Sequence, residues 1–134
     1  MKKIMFLCKH NSFRSKVAEA VFKKLYIGNK IKVISRGIFP GPFIYPNTKK
    51  SVKEVGYVIS GKPRGITFNE LRNQDKIIIV ANDVPISLIK NYKSMKDKVF
   101  LWKIPDSDAK ETEKIKRITK EIEHKVKLLI KEIK

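Results

Sequence analysis

Cys8-Lys9-His10-Asn11-Ser12-Phe13-Arg14-Ser15 is the stretch on which the reading of this chain turns. It follows the apolar run Ile4-Met5-Phe6-Leu7 and leads into Ser15-Lys16-Val17-Ala18-Glu19-Ala20-Val21-Phe22-Lys23-Lys24-Leu25. The first run reads as a strand. The second puts Val17, Ala18, Val21, Phe22 and Leu25 on one face at helical spacing, so it reads as a helix. A cysteine therefore closes a strand, and an arginine followed by a serine opens a helix.

A loop between a strand end and a helix start turns several backbone N–H groups into one concavity. The first helical turn adds unpaired N–H groups and the positive end of the helix dipole. Such a concavity holds a tetrahedral oxyanion. Arg14 closes it with a planar fork that matches two phosphate oxygens. The same field stabilises a thiolate at Cys8, and Ser15 is placed to donate a hydroxyl hydrogen bond to that sulfur. The phosphate-binding loop then comprises Lys9, His10, Asn11, Ser12, Phe13 and Arg14, with Ser15 at its end. An anionic nucleophile in an oxyanion cradle is the arrangement for covalent phosphoryl transfer. A free cysteine is more often an inert apolar filler. The preceding strand, the following helix and the Arg-Ser pair set Cys8 apart from that reading.

The segment from Phe6 to Phe22 resembles the active-site segment of the low-molecular-weight protein tyrosine phosphatases, a fold and motif shared with thioredoxin-coupled arsenate reductases. The matching positions are Cys8, Asn11, Arg14, Ser15 and Ala18-Glu19-Ala20. The resemblance implies that Cys8 is the nucleophile and that Arg14 binds phosphate. It also implies that Asn11 holds the loop shape and that Ser15 steadies the thiolate. His10 stands where the phosphatases usually carry glycine, although reductase-like relatives accept histidine there. Phe13 stands where many members carry a second cysteine.

The chain has 134 residues and is expected to form a single domain over residues 1–134. No apolar run has membrane-spanning length, and Met1-Lys2-Lys3 is followed by too short an apolar run for a signal peptide. One cysteine cannot form an internal disulfide, and an active thiolate suits a reducing cytoplasm, the expected location. The formal charge of +18 suits steering of anionic substrates. No nucleic-acid motif and no aromatic-interleaved basic stripe accompanies it, so nucleic acid is not the expected partner.

Strand-like and helix-like segments alternate along the chain. Strands are predicted at 3–7, 31–35, 76–80 and 98–102, the third a continuous apolar run of the kind that is buried on both faces. Helices are predicted at 15–25, from an Asn47 cap to about residue 55, at 68–72 behind Thr67, at 84–91 and at 110–133. Ile115, Ile118, Ile122, Val126, Leu129 and Ile133 form the apolar stripe of the last helix. His124 lies on that helix and reads as a surface residue. The loop Arg36–Pro46 carries Phe39, Phe43 and Tyr45, unusual in a solvated turn. Each is a candidate to stack on a substrate ring or to pack the loop onto the body of the domain.

This alternation predicts an α/β fold with a parallel sheet covered by helices on both faces. Right-handed crossovers put the loops that follow strands on one edge, so the Cys8 loop, the Phe39–Tyr45 loop and the Asp106 loop should converge. The resemblance adds the strand number and order, four strands as 2-1-3-4. Cleavage of a phosphate monoester also needs an acid for the leaving oxygen. Asp106 and Asp108 both lie in the loop after the last strand. The family places its acid there in an Asp-Pro pair. Asp106 fits by its distance from Trp102, with Ser107 in place of the proline.

The expected enzyme is a phosphate-monoester hydrolase of the protein-tyrosine-phosphatase type with catalytic Cys8, Arg14 and Asp106. It would act through a cysteinyl-phosphate on a phosphorylated protein or a small aryl phosphate. No metal or cofactor is expected. The alternatives are arsenate reduction with an external thiol and a non-catalytic protein that binds anions or nucleic acid.

Overall fold

A computed structural model describes residues 2–90 and 97–133. Its strands are β1 (Lys2–Cys8), β2 (Ile31–Gly37), β3 (Lys76–Val80) and β4 (Val99–Trp102). They form one four-stranded sheet in the order β2-β1-β3-β4, and every pair is parallel. The helices are α1 (Arg14–Leu25), α2 (Pro46–Val55), α3 (Phe68–Arg72), α4 (Ser87–Lys90) and α5 (Thr112–Ile133).

Alternating side chains of the central strands serve two cores. Ile4, Phe6, Ile78 and Val80 pack with Val17 and Phe22 of α1, Val52 of α2 and Ile115 and Ile122 of α5. Met5, Leu7, Ile77 and Ile79 point the other way, onto Leu71 of α3 and Ile89 of α4. Covering on both faces explains why these strands carry no polar alternation.

The stripe of α5 is buried from Ile115 to Leu129, and Ile133 is partly buried at its end. Thr119 joins it by returning its hydroxyl hydrogen bond to the Ile115 carbonyl at 2.8 Å. His124 is exposed. Thr67 caps α3 by accepting the Glu70 N–H at 3.1 Å.

Several boundaries differ from the sequence expectation. β1 and β2 run on to Cys8 and Gly37, which pair with each other. The cap of α2 is Tyr45, with Pro46 in the first turn, so Asn47 lies inside the helix. Proline lacks the N–H that the first turn leaves unpaired anyway, and it moves the start upstream. The helix expected over 84–91 contracts to Ser87–Lys90. There, three-residue turns join Leu88 N–H to the Pro85 carbonyl and Ile89 N–H to the Ile86 carbonyl. Asn91 lies outside the described residues. α5 starts at Thr112 rather than at 110, because the Asp108 side chain and carbonyl draw the N–H groups of Lys110 and Glu111.

Candidate active site

Cys8 is the last residue of β1, and its sulfur is buried. The Asn11 N–H points at Sγ from 3.2 Å, and Ser15 Oγ lies 2.9 Å away. Asn11 has φ 55°, a left-handed conformation that asparagine tolerates better than most residues. It is fully buried, and its side chain explains how that conformation is held. Oδ1 accepts the Arg64 N–H at 2.8 Å, which fixes the amide orientation. Nδ2 then donates to Ser15 Oγ at 2.8 Å and to Ser35 Oγ at 3.0 Å, and Ser35 donates to Glu19 Oε1 at 2.6 Å. Ser15 Oγ already accepts from Asn11, so its own proton is free for a thiolate at Cys8.

The loop leans directly on β2. Lys9 and His10 accept from the N–H groups of Phe39 and Gly41, extending the β1–β2 pairing past the strand ends. A Cβ on Gly37 would stand 2.8 Å from Asn11 N and from the His10 carbonyl carbon, so only glycine fits there. His10 Nδ1 lies 2.9 Å from the Phe39 carbonyl. A carbonyl only accepts, so this nitrogen carries the proton.

Arg14, the first residue of α1, is 2% exposed although it is charged. Nη1 donates to the Ile104 carbonyl at 3.0 Å and Nη2 to Asp83 Oδ1 at 2.9 Å. Asp106 Oδ2 stands 3.5 Å from the same Nη2. A guanidinium buried this deeply needs such partners. The two carboxylates arrive from the segments after β3 and β4, on the same sheet edge as Cys8.

A cleft of about 570 Å³ opens beside the loop, lined by His10, Ser12 and Phe13, by Tyr45 and the first turn of α2, and by 106–110. Asp106 and Asp108 both line it. Asp106 makes the contact with Arg14, whereas Asp108 Oδ1 accepts the Lys110 N–H at 2.9 Å and shapes the turn before α5. Of the three loop aromatics, Tyr45 faces the cleft, braced edge-on by Phe43 at 4.9 Å between ring centroids. Phe39 is 67% exposed. Ile44 is the residue that packs the loop onto the body.

The structure thus brings Cys8, Asn11, Ser15, Arg14 and Asp106 together with Lys9, His10, Ser12 and Phe13 in one loop and cleft. Sequence reasoning missed Asp83, Ser35 and the Ile104 carbonyl, and gave Glu19 a place in the matching run without a role. Asp83 follows β3 as Asp106 follows β4, and the rule that loops after strands converge on one edge was the available signal.

The description "Low molecular weight phosphotyrosine protein phosphatase" belongs to the family model that matches residues 3–134. An arsenate reductase of Brevibacillus brevis is 32% identical over 126 residues, covering 94% of this chain and 92% of its own length. A glutaredoxin arsenate reductase of Synechocystis is 30% identical over 134 residues, covering 99% of each chain. Among solved structures, a YwlE mutant from Bacillus subtilis superposes with a TM-score of 0.87 at 22% identity, over 99% of each chain. An arsenate reductase in its phosphate-binding state superposes with 0.81 at 29%, over 100% of each. With that family model matching residues 3–134 and the four-stranded parallel sheet ending β1 at Cys8, the chain belongs to the low-molecular-weight phosphotyrosine protein phosphatase family.

Proposed function

We propose that this protein hydrolyses phosphate monoesters, as a protein-tyrosine-phosphatase-like enzyme of the cytoplasm. The substrate is a phosphorylated protein or a small aryl phosphate. The observation that carries the reading is the contact of Asp106 with Arg14 at 3.5 Å, which supports an acid standing over the same cradle as the nucleophile. The phosphoryl group binds in the loop from Lys9 to Arg14, its equatorial oxygens on backbone N–H groups and the guanidinium. Cys8 thiolate attacks phosphorus in line. The P–S bond forms, the P–O bond to the leaving group breaks, and Asp106 gives its proton to the leaving oxygen. Asp106 carboxylate then takes a proton from water as the water oxygen attacks phosphorus. The P–S bond breaks, the Ser15 hydroxyl steadies the returning thiolate, and Asp106 is again protonated. Tyr45 supplies an aromatic wall for an aryl leaving group.

The test is turnover of p-nitrophenyl phosphate without added metal, by wild type and by Cys8→Ser. The wild type should turn over. Cys8→Ser should be inactive yet still bind phosphate or vanadate, because the N–H cradle and Arg14 remain. Substantial hydrolysis by Cys8→Ser would overturn catalysis through the thiolate.

A second reading is arsenate reduction with an external thiol, favoured by the names of the Brevibacillus and Synechocystis relatives. Cys8 would displace water from arsenate. An external thiol would then attack Cys8 sulfur: the S–S bond forms, the S–As bond breaks with its electron pair leaving on arsenic as arsenite, and a second external thiol reduces the Cys8 mixed disulfide. Fast arsenite production with glutaredoxin or thioredoxin and negligible aryl phosphatase activity would select it.

A further inference from the structure

The segment carrying Asp106 is held at both ends. Upstream, the Ile104 carbonyl accepts from Arg14 Nη1 at 3.0 Å and from the Asn82 N–H at 2.9 Å. Downstream, the tie comes from across the cleft. Asn47 Nδ2 donates to the Ala109 carbonyl at 2.7 Å and lies 3.1 Å from Thr112 Oγ1. A carbonyl accepts only, so the amide orientation is fixed. Asn47 is anchored on a rigid base. It sits in the first turn of α2, its own carbonyl accepts from Ser51 Oγ at 2.7 Å, and α2 packs on α5 through the fully buried Val52. A Glu54–Lys116 ion pair at 3.1 Å ties the same two helices further along.

Between the anchors, Asp106 Oδ2 stands 3.5 Å from Arg14 Nη2, and the other bonds are local. Asp106 Oδ1 accepts from the Ser107 N–H, Ser107 Oγ donates to the Asp108 carbonyl, and Asp108 takes the Lys110 N–H. These local bonds set the shape of the turn, and the contact with Arg14 leaves the far end of the turn, at 108–110, to be held from elsewhere. The Asn47–Ala109 bond ties that end to α2.

We propose that Asn47 is a positioning residue for the acid: it holds the 106–110 turn at the distance from the phosphate loop at which Asp106 meets the leaving oxygen. The inference rests on the assignment of Asp106 as general acid. Misplacing a proton donor harms substrates in proportion to how badly they need the proton, while leaving anion binding intact.

The experiment compares kcat/KM for phenyl phosphate, a poor leaving group, with p-nitrophenyl phosphate, a good one. The proteins are wild type, Asn47→Ala, Asn47→Asp and Asp106→Asn, with competitive inhibition by inorganic phosphate read in parallel. Asn47→Asp separates positioning from stability. A carboxylate in the first turn favours the helix dipole, so a structural role predicts a harmless change. It cannot donate to the Ala109 carbonyl, so a positioning role predicts damage. Both Asn47 variants should lose about tenfold on phenyl phosphate and far less on p-nitrophenyl phosphate, with unchanged phosphate inhibition. An equal loss on both substrates, a parallel loss of phosphate binding, or a harmless Asn47→Asp overturns the inference. A selective loss in Asp106→Asn with none in the Asn47 variants overturns the positioning role alone. A flat response of Asp106→Asn overturns the acid assignment, and the positioning role with it.

Discussion

Asp83 Oδ1 lies 2.9 Å from Arg14 Nη2, and this contact joins the helix after the Cys8 loop to the segment after β3. Nη1 of the same guanidinium is taken by the Ile104 carbonyl, so the fork is oriented by the second half of the sheet before any anion arrives. Asp83 is 35% exposed in its side chain while Arg14 is 2% exposed. The partner therefore stands at the solvent side and the cation inside.

Asp83→Ala should loosen that orientation. A hydrogen bond to a charged group contributes about 1.5–3 kcal/mol, which sets an expected fall in kcat/KM of roughly tenfold to a hundredfold. Phosphate inhibition should weaken alongside, because the same fork binds the ground-state anion. Unchanged phosphate binding with unchanged kcat/KM would show that the Ile104 carbonyl and Asp106 suffice to orient Arg14.

Asp106→Asn should depress the rate most on substrates with poor leaving groups, since protonation matters least when the leaving oxygen is already a stable anion. Asp108→Asn should do much less, because its Oδ1 serves the Lys110 N–H. Steady-state kinetics over a series of aryl phosphates reads this. A reversed ranking of the two variants would move the acid by two residues.

Cys8 is the single cysteine of the chain, and Phe13 fills a buried position in the loop. An intramolecular thiol relay is therefore chemically impossible. Arsenate is expected to act as a phosphate-like competitive inhibitor of aryl phosphate turnover. Peroxide should inactivate the enzyme with no internal disulfide to protect Cys8, and added thiol should restore activity only from the sulfenic acid stage. Full recovery after prolonged peroxide, or rapid arsenite release with purified reductant, would contradict this.

Arg36 grips Glu70 with Nε at 3.0 and 3.1 Å and Nη2 at 2.6 Å, tying β2 to α3. These hydrogen bonds hold the Glu70 carboxyl below its ordinary range, against an opposing effect of burial. A lowered folded-state pKa means that the unfolded chain takes up the proton first. The stabilisation is complete above the unfolded value of about 4.3 and fades as pH falls through the folded one. Glu70→Gln should lower stability near neutrality by about 1 kcal/mol. It should also flatten the loss of stability as pH falls below the unfolded value of about 4.3. Equal slopes for both proteins in denaturant titrations across that window would remove Glu70 as the source.

Local spacing carried much of this protein. The apolar runs of β1 and β3, the stripe of α5 and the Cys8–Ser15 loop were all legible in sequence, because periodicity and strand-loop-helix order follow from neighbouring residues. The convergence of Cys8 and Asp106 followed as well, since a parallel sheet puts every loop after a strand on one edge. Tertiary structure alone decided the partners. Asn47 looked like a helix cap and instead reaches across the cleft, because Pro46 had already set the start of α2. Asp83, which the sequence reading passed over, pairs with a buried guanidinium. Ile44, rather than its aromatic neighbours, fills the core, leaving Tyr45 for the cleft wall. Each of these choices depends on what stands opposite after folding, where a buried polar group must find a partner and only the assembled sheet and helices determine which one.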